Sequence, residues 1–274
     1  MVEITKKYKI GSRRFGLINW VGAWTLYKKE VLRFLIVWIQ TIFSPLISSL
    51  LFLLVLSLAI GADRGDVLGV PFITFLAPGL ISMQVIQQSF SHSSSSFMIG
   101  KIQGNIVDLL YAPLSATEVT ISVALAAVSR SVVIAIVSII VFKLIIDIEI
   151  TNYLLLITFT LLSSFILGNI GIIAGLWAEK FDHMATVTNF VIVPLSFLSG
   201  TFYSIERLPE ILQMISKANP FFYMIDGFRY SFIGESDGSL IFGVFYLTIV
   251  SLILWLVSYI CLLYTSDAAD ELSC

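Results

Sequence analysis

Short polar breaks divide this chain into six long apolar stretches. Five of them, Phe34 to Ala62, Val67 to Gly100, Ile150 to Ala178, His183 to Ile205 and Gly238 to Ser266, contain no Asp, Glu, Lys or Arg. The sixth, Val119 to Phe142, holds a single charge, Arg130. About 20 apolar residues at ~1.5 Å each cross a ~30 Å hydrocarbon core, and every stretch meets that length. The pattern predicts an all-α membrane protein with six transmembrane helices, because a helix satisfies its backbone groups internally where the solvent offers no hydrogen bonds. The first stretch is too long for the apolar region of a secretory signal and begins too far along the chain, so it predicts an uncleaved helix. Pro45 within it predicts a kink.

The connections carry elements of their own. Phe15 to Arg33 predicts an N-terminal interfacial amphipathic helix: Leu17, Trp20, Trp24 and Val31 fall near one face, while Asn19, Lys28, Lys29 and Arg33 cluster elsewhere. The alternative is a plain extension of the first span. Lys101 to Glu118 predicts a short helix with Asn105 as N-cap and Pro113 as stop. Glu206 to Asp237 alternates charge with apolar pieces too short to span, punctuated by Pro209 and Pro220, and predicts a re-entrant or interfacial hairpin.

Composition agrees with a lipid solvent: 58% of residues are hydrophobic and 12% charged, half the ~25% usual in soluble domains. A net charge of −2 gives no footprint for nucleic acid. Eight Lys and Arg precede Phe34 (Lys6, Lys7, Lys9, Arg13, Arg14, Lys28, Lys29, Arg33). With that end inside, Lys101 and Lys180 make ten inside against five outside (Arg64, Lys143, Arg207, Lys217, Arg229), which predicts cytoplasmic termini. Cys261 and Cys274 form neither a metal-ligand spacing nor a disulfide framework. The acidic end from Ser266 to Cys274 runs against the positive-inside tendency and reads as a foreign tail, so residues 1–264 are expected to form one domain and 265–274 to lie outside it.

The motifs exclude more than they assign. Gly234 to Gly238 fits G-x-S-x-G, but both histidines, His92 and His183, precede Ser236, and the surroundings read as a loop rather than a strand-turn-helix elbow. No H-E-x-x-H and no G-x-x-x-x-G-K-[ST] occurs, so neither a hydrolytic zinc site nor a nucleotide phosphate loop is expected in this chain. Gly171 to Gly175 is a G-x-x-x-G, serving either a dimer contact or packing within the subunit. The serine run Ser91 to Ser96 either lines a polar passage or lets helices pack closely. Arg130 either faces a cavity or polar partner, or snorkels to an interface.

Taken in order, these pieces resemble the membrane subunit of an ABC-2-type ATP-binding-cassette exporter over roughly Phe15 to Tyr264. The resemblance is carried by Phe75-Leu-Ala-Pro-Gly-Leu80, Leu109-Leu-Tyr-Ala-Pro-Leu-Ser115, Pro194-Leu-Ser-Phe-Leu-Ser-Gly-Thr-Phe-Tyr-Ser204 running into Leu208-Pro209, and Asn219-Pro220-Phe-Phe-Tyr-Met-Ile-Asp-Gly-Phe-Arg229. It implies a coupling helix at Asn105 to Leu114, including Asp108, Leu109, Leu110, Tyr111 and Pro113, that inserts into a separate P-loop ATPase subunit. It implies a connecting helix at Phe15 to Arg33 and re-entrant outer helices at Glu206 to Asp237, with Pro209, Pro220 and Arg229. ATP and Mg are then bound by the partner and no cofactor by this chain. Two permease subunits, identical or different, assemble in a prokaryotic-type plasma membrane. Cargo in this family includes drugs, polysaccharides and lipid-linked glycans. The competing expectation is a membrane-embedded enzyme acting on lipid, which requires carboxylates or histidines gathered at one depth.

Overall fold

The computed structural model describes residues 18–60, 65–146 and 148–272. Phe15 to Leu17, the basic residues from Lys6 to Arg14, Arg64 and Cys274 lie outside the described residues. The described chain is a bundle of helices without a β-strand: α1 Trp20–Ile36, α2 Ser44–Ile60, α3 Phe72–Ile102, α4 Ile106–Tyr111, α5 Ala116–Ile145, α6 Tyr153–Trp177, α7 Phe181–Val187, α8 Val193–Leu198, α9 Glu210–Ala218, α10 Pro220–Ile233 and α11 Leu240–Leu272.

Among the described residues, five helical segments are long and apolar enough to cross a membrane: Ile39–Ala59, Ala116–Ile145, Tyr153–Trp177, Phe181–Leu198 and Leu240–Thr265. The remaining apolar stretch of the sequence became α3, whose 31 residues are ample in length. Its Gln84, Gln87, Gln88 and serines make it less apolar than the other long helices, and most of its residues are buried in protein. α6, α5, α10 and α2 pack around it.

Two prolines widen the helical turn that precedes them. A π-helical turn at Ile39–Phe43 precedes Pro45, and another at Thr188–Ile192 precedes Pro194. A proline lacks the N–H that would bond the carbonyl four residues back and crowds that carbonyl with its ring; widening the preceding turn relieves both. Each segment therefore continues as one helix.

Side-chain caps set several ends. Asn19 accepts from Gly22 N at 3.0 Å, Asn152 from Leu155 N at 3.1 Å, and Asn219 from Phe221 N at 3.1 Å, with Pro220 at the first position of α10. Asn105 differs from expectation: it precedes α4 in a helical conformation and its side chain makes no capping bond. Gly234, at φ 81°, closes α10 in the left-handed conformation that favours glycine. α11 runs on past Ser266, continuing the helix of the last apolar stretch to Leu272.

The α3–α6 contact is made by small residues. A Cβ on Gly171 would sit 2.6 Å from the Phe90 carbonyl oxygen, and one on Gly175 would sit 2.9 Å from that of Ser94. The G-x-x-x-G is thus occupied inside the subunit, against the serine run, where Ser93 and Ser94 are buried. Polar pairs register the other neighbours of α3 and α6: Ser89 with Ser131 at 2.5 Å, Gln84 with Ser138 at 3.1 Å, and Ser258 with Asn169 at 2.7 Å.

Candidate functional site

Three polar assemblies lie along the bundle. The first is a joint at the α4 end. Ser115 and Glu118 form a reciprocal capping box at the start of α5, and the Glu118 carboxylate accepts from Ser115 N at 2.7 Å. Its other oxygen accepts from Asn19 N at 2.6 Å, and Asn19 Nδ2 donates to the Pro113 carbonyl at 3.1 Å. One buried carboxylate therefore fastens the start of α1, the loop after α4 and the base of α5. Ser122 Oγ adds a bond to Ala23 O at 3.1 Å.

The coupling-segment residues divide into two faces. Leu109, Leu110 and Leu114 turn inward and pack on a cluster containing Leu26, Phe97, Val119 and Leu262. Val107 and Tyr111 stay exposed, as do Asn105, Asp108 and Pro113. α1 also has two faces: Trp20, Trp24, Lys28 and Lys29 are exposed, whereas Leu26, Glu30 and Phe34, one helical turn apart, are buried. Arg33 is not among the outward cations. It points into the protein.

The second assembly surrounds Arg33. Its Nε donates to Glu30 Oε2 at 2.9 Å, Nη1 to Ser95 Oγ at 3.1 Å and Nη2 to His92 O at 2.9 Å. His92 is enclosed, with Nε2 3.8 Å from Glu30 Oε2 and its ring edge-on to Phe34. Arg130 lies close to the middle of α5, so a snorkelling side chain would have to cover ~20 Å to either end. Instead it donates from Nη2 to Gln88 Oε1 on α3, and its buried Nε has no partner among the described residues. Both arginines line a cleft of about 510 Å³ between α1, α2, α3 and α5.

The third assembly is at the opposite end of α3. Arg229, counted from sequence as a loop cation, is 1% exposed. Its Nη2 donates to Gly200 O at 2.5 Å and its guanidinium lies 3.9 Å above the Phe75 ring. Nearby, Asp226 accepts from Asp237 N at 3.0 Å and Gly238 N at 3.1 Å, while Asp237 accepts from Ser204 Oγ at 2.7 Å. These bonds hold α10 against α3, while α9 returns beside α10 and is tied to α8 by Ser216 Oγ donating to Leu198 O at 2.9 Å, with Pro209 and Pro220 each opening a helix. The Phe75, Pro194 and Asn219 segments, far apart in sequence, meet here. Ser236 bonds only locally, to Gly238 O at 2.8 Å, and no group of three His, Cys, Asp or Glu side chains converges among the described residues.

Sequence reasoning missed Glu30, Glu118, Asp226 and Asp237. Two carried a local signal: Glu118 stands three after Ser115, and Glu30 stands four from both Leu26 and Phe34. The two aspartates carried none.

This arrangement defines an integral membrane protein built from packed apolar helices, with a polar joint at one end and the buried helix α10 at the other. The family model for the ABC-2 type transporter matches residues 22–233, and the chain belongs to that family. It is similar to the inner membrane transport permease YadH of Escherichia coli K12, 33% identical over 242 residues, covering 87% of this chain and 94% of that protein. It is also similar to nodulation protein J of Rhizobium leguminosarum bv. viciae, 24% identical over 250 residues with 89% and 93% covered, and to nodulation protein J of Neorhizobium galegae, 24% identical over 222 residues with 80% and 83% covered.

Proposed function

We propose that this chain is the membrane-spanning subunit of an exporter driven by ATP hydrolysis on a separate P-loop subunit, which holds the ATP and Mg. The observation that carries the reading is the Glu118 joint. Because one carboxylate bonds α1 and caps α5, and Pro113 after α4 bonds Asn19, a push on α4 moves both helices together. The exposed pair Val107 and Tyr111 gives a partner an apolar grip on that lever, while Leu109, Leu110 and Leu114 transmit the load inward. Family membership supports the same assignment.

In this reading α3 is the second of six spans and residues 1–264 are one transmembrane domain. Both termini, α4 and the start of α1 are cytoplasmic, and the Glu206 to Asp237 hairpin caps the outer exit. Two such subunits, identical or different, enclose the passage in the plasma membrane, and the cargo is a drug, a polysaccharide or a lipid-linked glycan. The test is recovery of a tagged cognate ATPase with wild-type, Tyr111→Asp and Val107→Asp chains at equal membrane levels. A charge in the contact is expected to cost ~2 to 4 kcal/mol and abolish recovery. Wild-type recovery and transport by both variants would overturn the role of α4.

A further inference from the structure

We infer that the cleft between α1, α2, α3 and α5 binds an anionic phosphate carried on an apolar chain, with Arg130 as the charge partner. This deepens the transport reading, and depends on it only if the phosphate belongs to cargo rather than to a bilayer lipid.

The charges in the cleft do not balance. Arg33 is answered by Glu30 at 2.9 Å, but no salt bridge reaches Arg130 among the described residues. An unanswered guanidinium near the middle of a spanning helix costs at least ~2.5 kcal/mol, and the neutral Gln88 oxygen offers a dipole, not a counter-charge. The donor set fits an oxyanion. Arg130 Nε is buried and donates to nothing among the described residues, and the hydroxyls of Thr41 and Ser91 line the same cleft, whereas the Ser95 hydroxyl there already donates to His92 O at 3.0 Å. A carboxylate has two oxygens with which to meet these donors; a phosphate brings three or four and suits the planar guanidinium fork.

The surroundings select the rest of the ligand. At about 510 Å³ the cleft exceeds what a lone phosphate fills. It shares the walls Ser44, Pro45 and Gln88 with a second recess of about 390 Å³, where Phe52, Phe197 and Phe202 stand beside Ser48, Gln84 and Gln87. The cationic cleft therefore borders an uncharged recess with apolar walls among its polar ones, which can take an apolar chain behind a phosphate head.

The test uses the full chain in neutral phosphatidylcholine nanodiscs, without ATPase, so that failure of the α4 contact does not affect it. Decyl phosphate, decanol and inorganic phosphate are titrated by thermal shift. Decyl phosphate is expected to bind and decanol not. Arg130→Gln is expected to weaken decyl phosphate at least tenfold. Gln88→Glu supplies an internal counter-ion, so it is expected to weaken binding similarly while raising the melting temperature of the ligand-free protein; it decides the matter if Arg130→Gln does not fold. Competition by phosphatidylglycerol added to the disc assigns the site to a bilayer lipid, and its absence assigns it to cargo. Equal binding of decanol, saturation by inorganic phosphate alone at the same concentration, or undiminished binding by the folded variants would overturn the inference.

Discussion

Glu118→Ala should loosen α1 from the bundle without unfolding it. The carboxylate is buried and accepts from two backbone amides, Asn19 N at 2.6 Å and Ser115 N at 2.7 Å. A hydrogen bond to a charged group contributes about 1.5 to 3 kcal/mol, and Ser115 N lies where water can replace part of the loss, so the expected cost is about 3 kcal/mol. At 1.4 kcal/mol per factor of ten, that raises the open population of the first turn of α1 roughly 100-fold. The assay is hydrogen exchange at Gly22 and Ala23, whose amides bond Asn19. Exchange there should accelerate by about that factor, while α6 keeps its protection. Glu118→Gln, which retains one acceptor, should fall between. Exchange at Gly22 and Ala23 within threefold of wild type in Glu118→Ala would refute the claim that this carboxylate fastens α1.

The two faces of α4 separate binding from folding: Leu110→Asp, unlike Tyr111→Asp, should lower the melting temperature of the isolated chain, because it buries a charge against Val119 and Leu262. Gly79→Ala should destabilise the hairpin by ~1 to 3 kcal/mol, since a Cβ there lies 2.5 Å from Thr201 O and 3.0 Å from Arg229 Nη2; proteolysis between α8 and α10 measures it. Cysteine probes report orientation: an impermeant outer reagent should label Ser236→Cys and spare Ala116→Cys, and the reverse pattern would invert the topology.

Helix existence was legible because lipid imposes one rule, that backbone groups pair within the segment, and long uncharged runs obey it visibly. The short helix before Pro113 followed from the same local chemistry, and Pro209 and Pro220 were legible as breaks but not as helix starts. α3 was legible as an uncharged run but not as an enclosed helix. Its glutamines and serines dilute the apolar signal because they face other helices, and one chain read in isolation does not reveal which neighbours those are.

Partnership between distant residues belonged to the tertiary structure. Arg229 read as a loop cation because its sequence neighbours are a hairpin's, yet its environment comes from Phe75 and Gly200, packed on it from two other elements. Arg33 read as a surface cation because Lys28 and Lys29 precede it, but the packing of α1 beside α3 gives its guanidinium Ser95 and the His92 carbonyl as partners in addition to Glu30. Glu118 announced its cap to Ser115 through a three-residue spacing, whereas its bond to Asn19, 99 residues away, required the whole bundle to bring α1 onto α5. The sequence by itself determined which segments are helices and which solvent they meet. Only the fold decided which polar groups share a low-dielectric interior, and so which charges, like Arg33, are answered by a carboxylate and which, like Arg130, meet only a neutral amide.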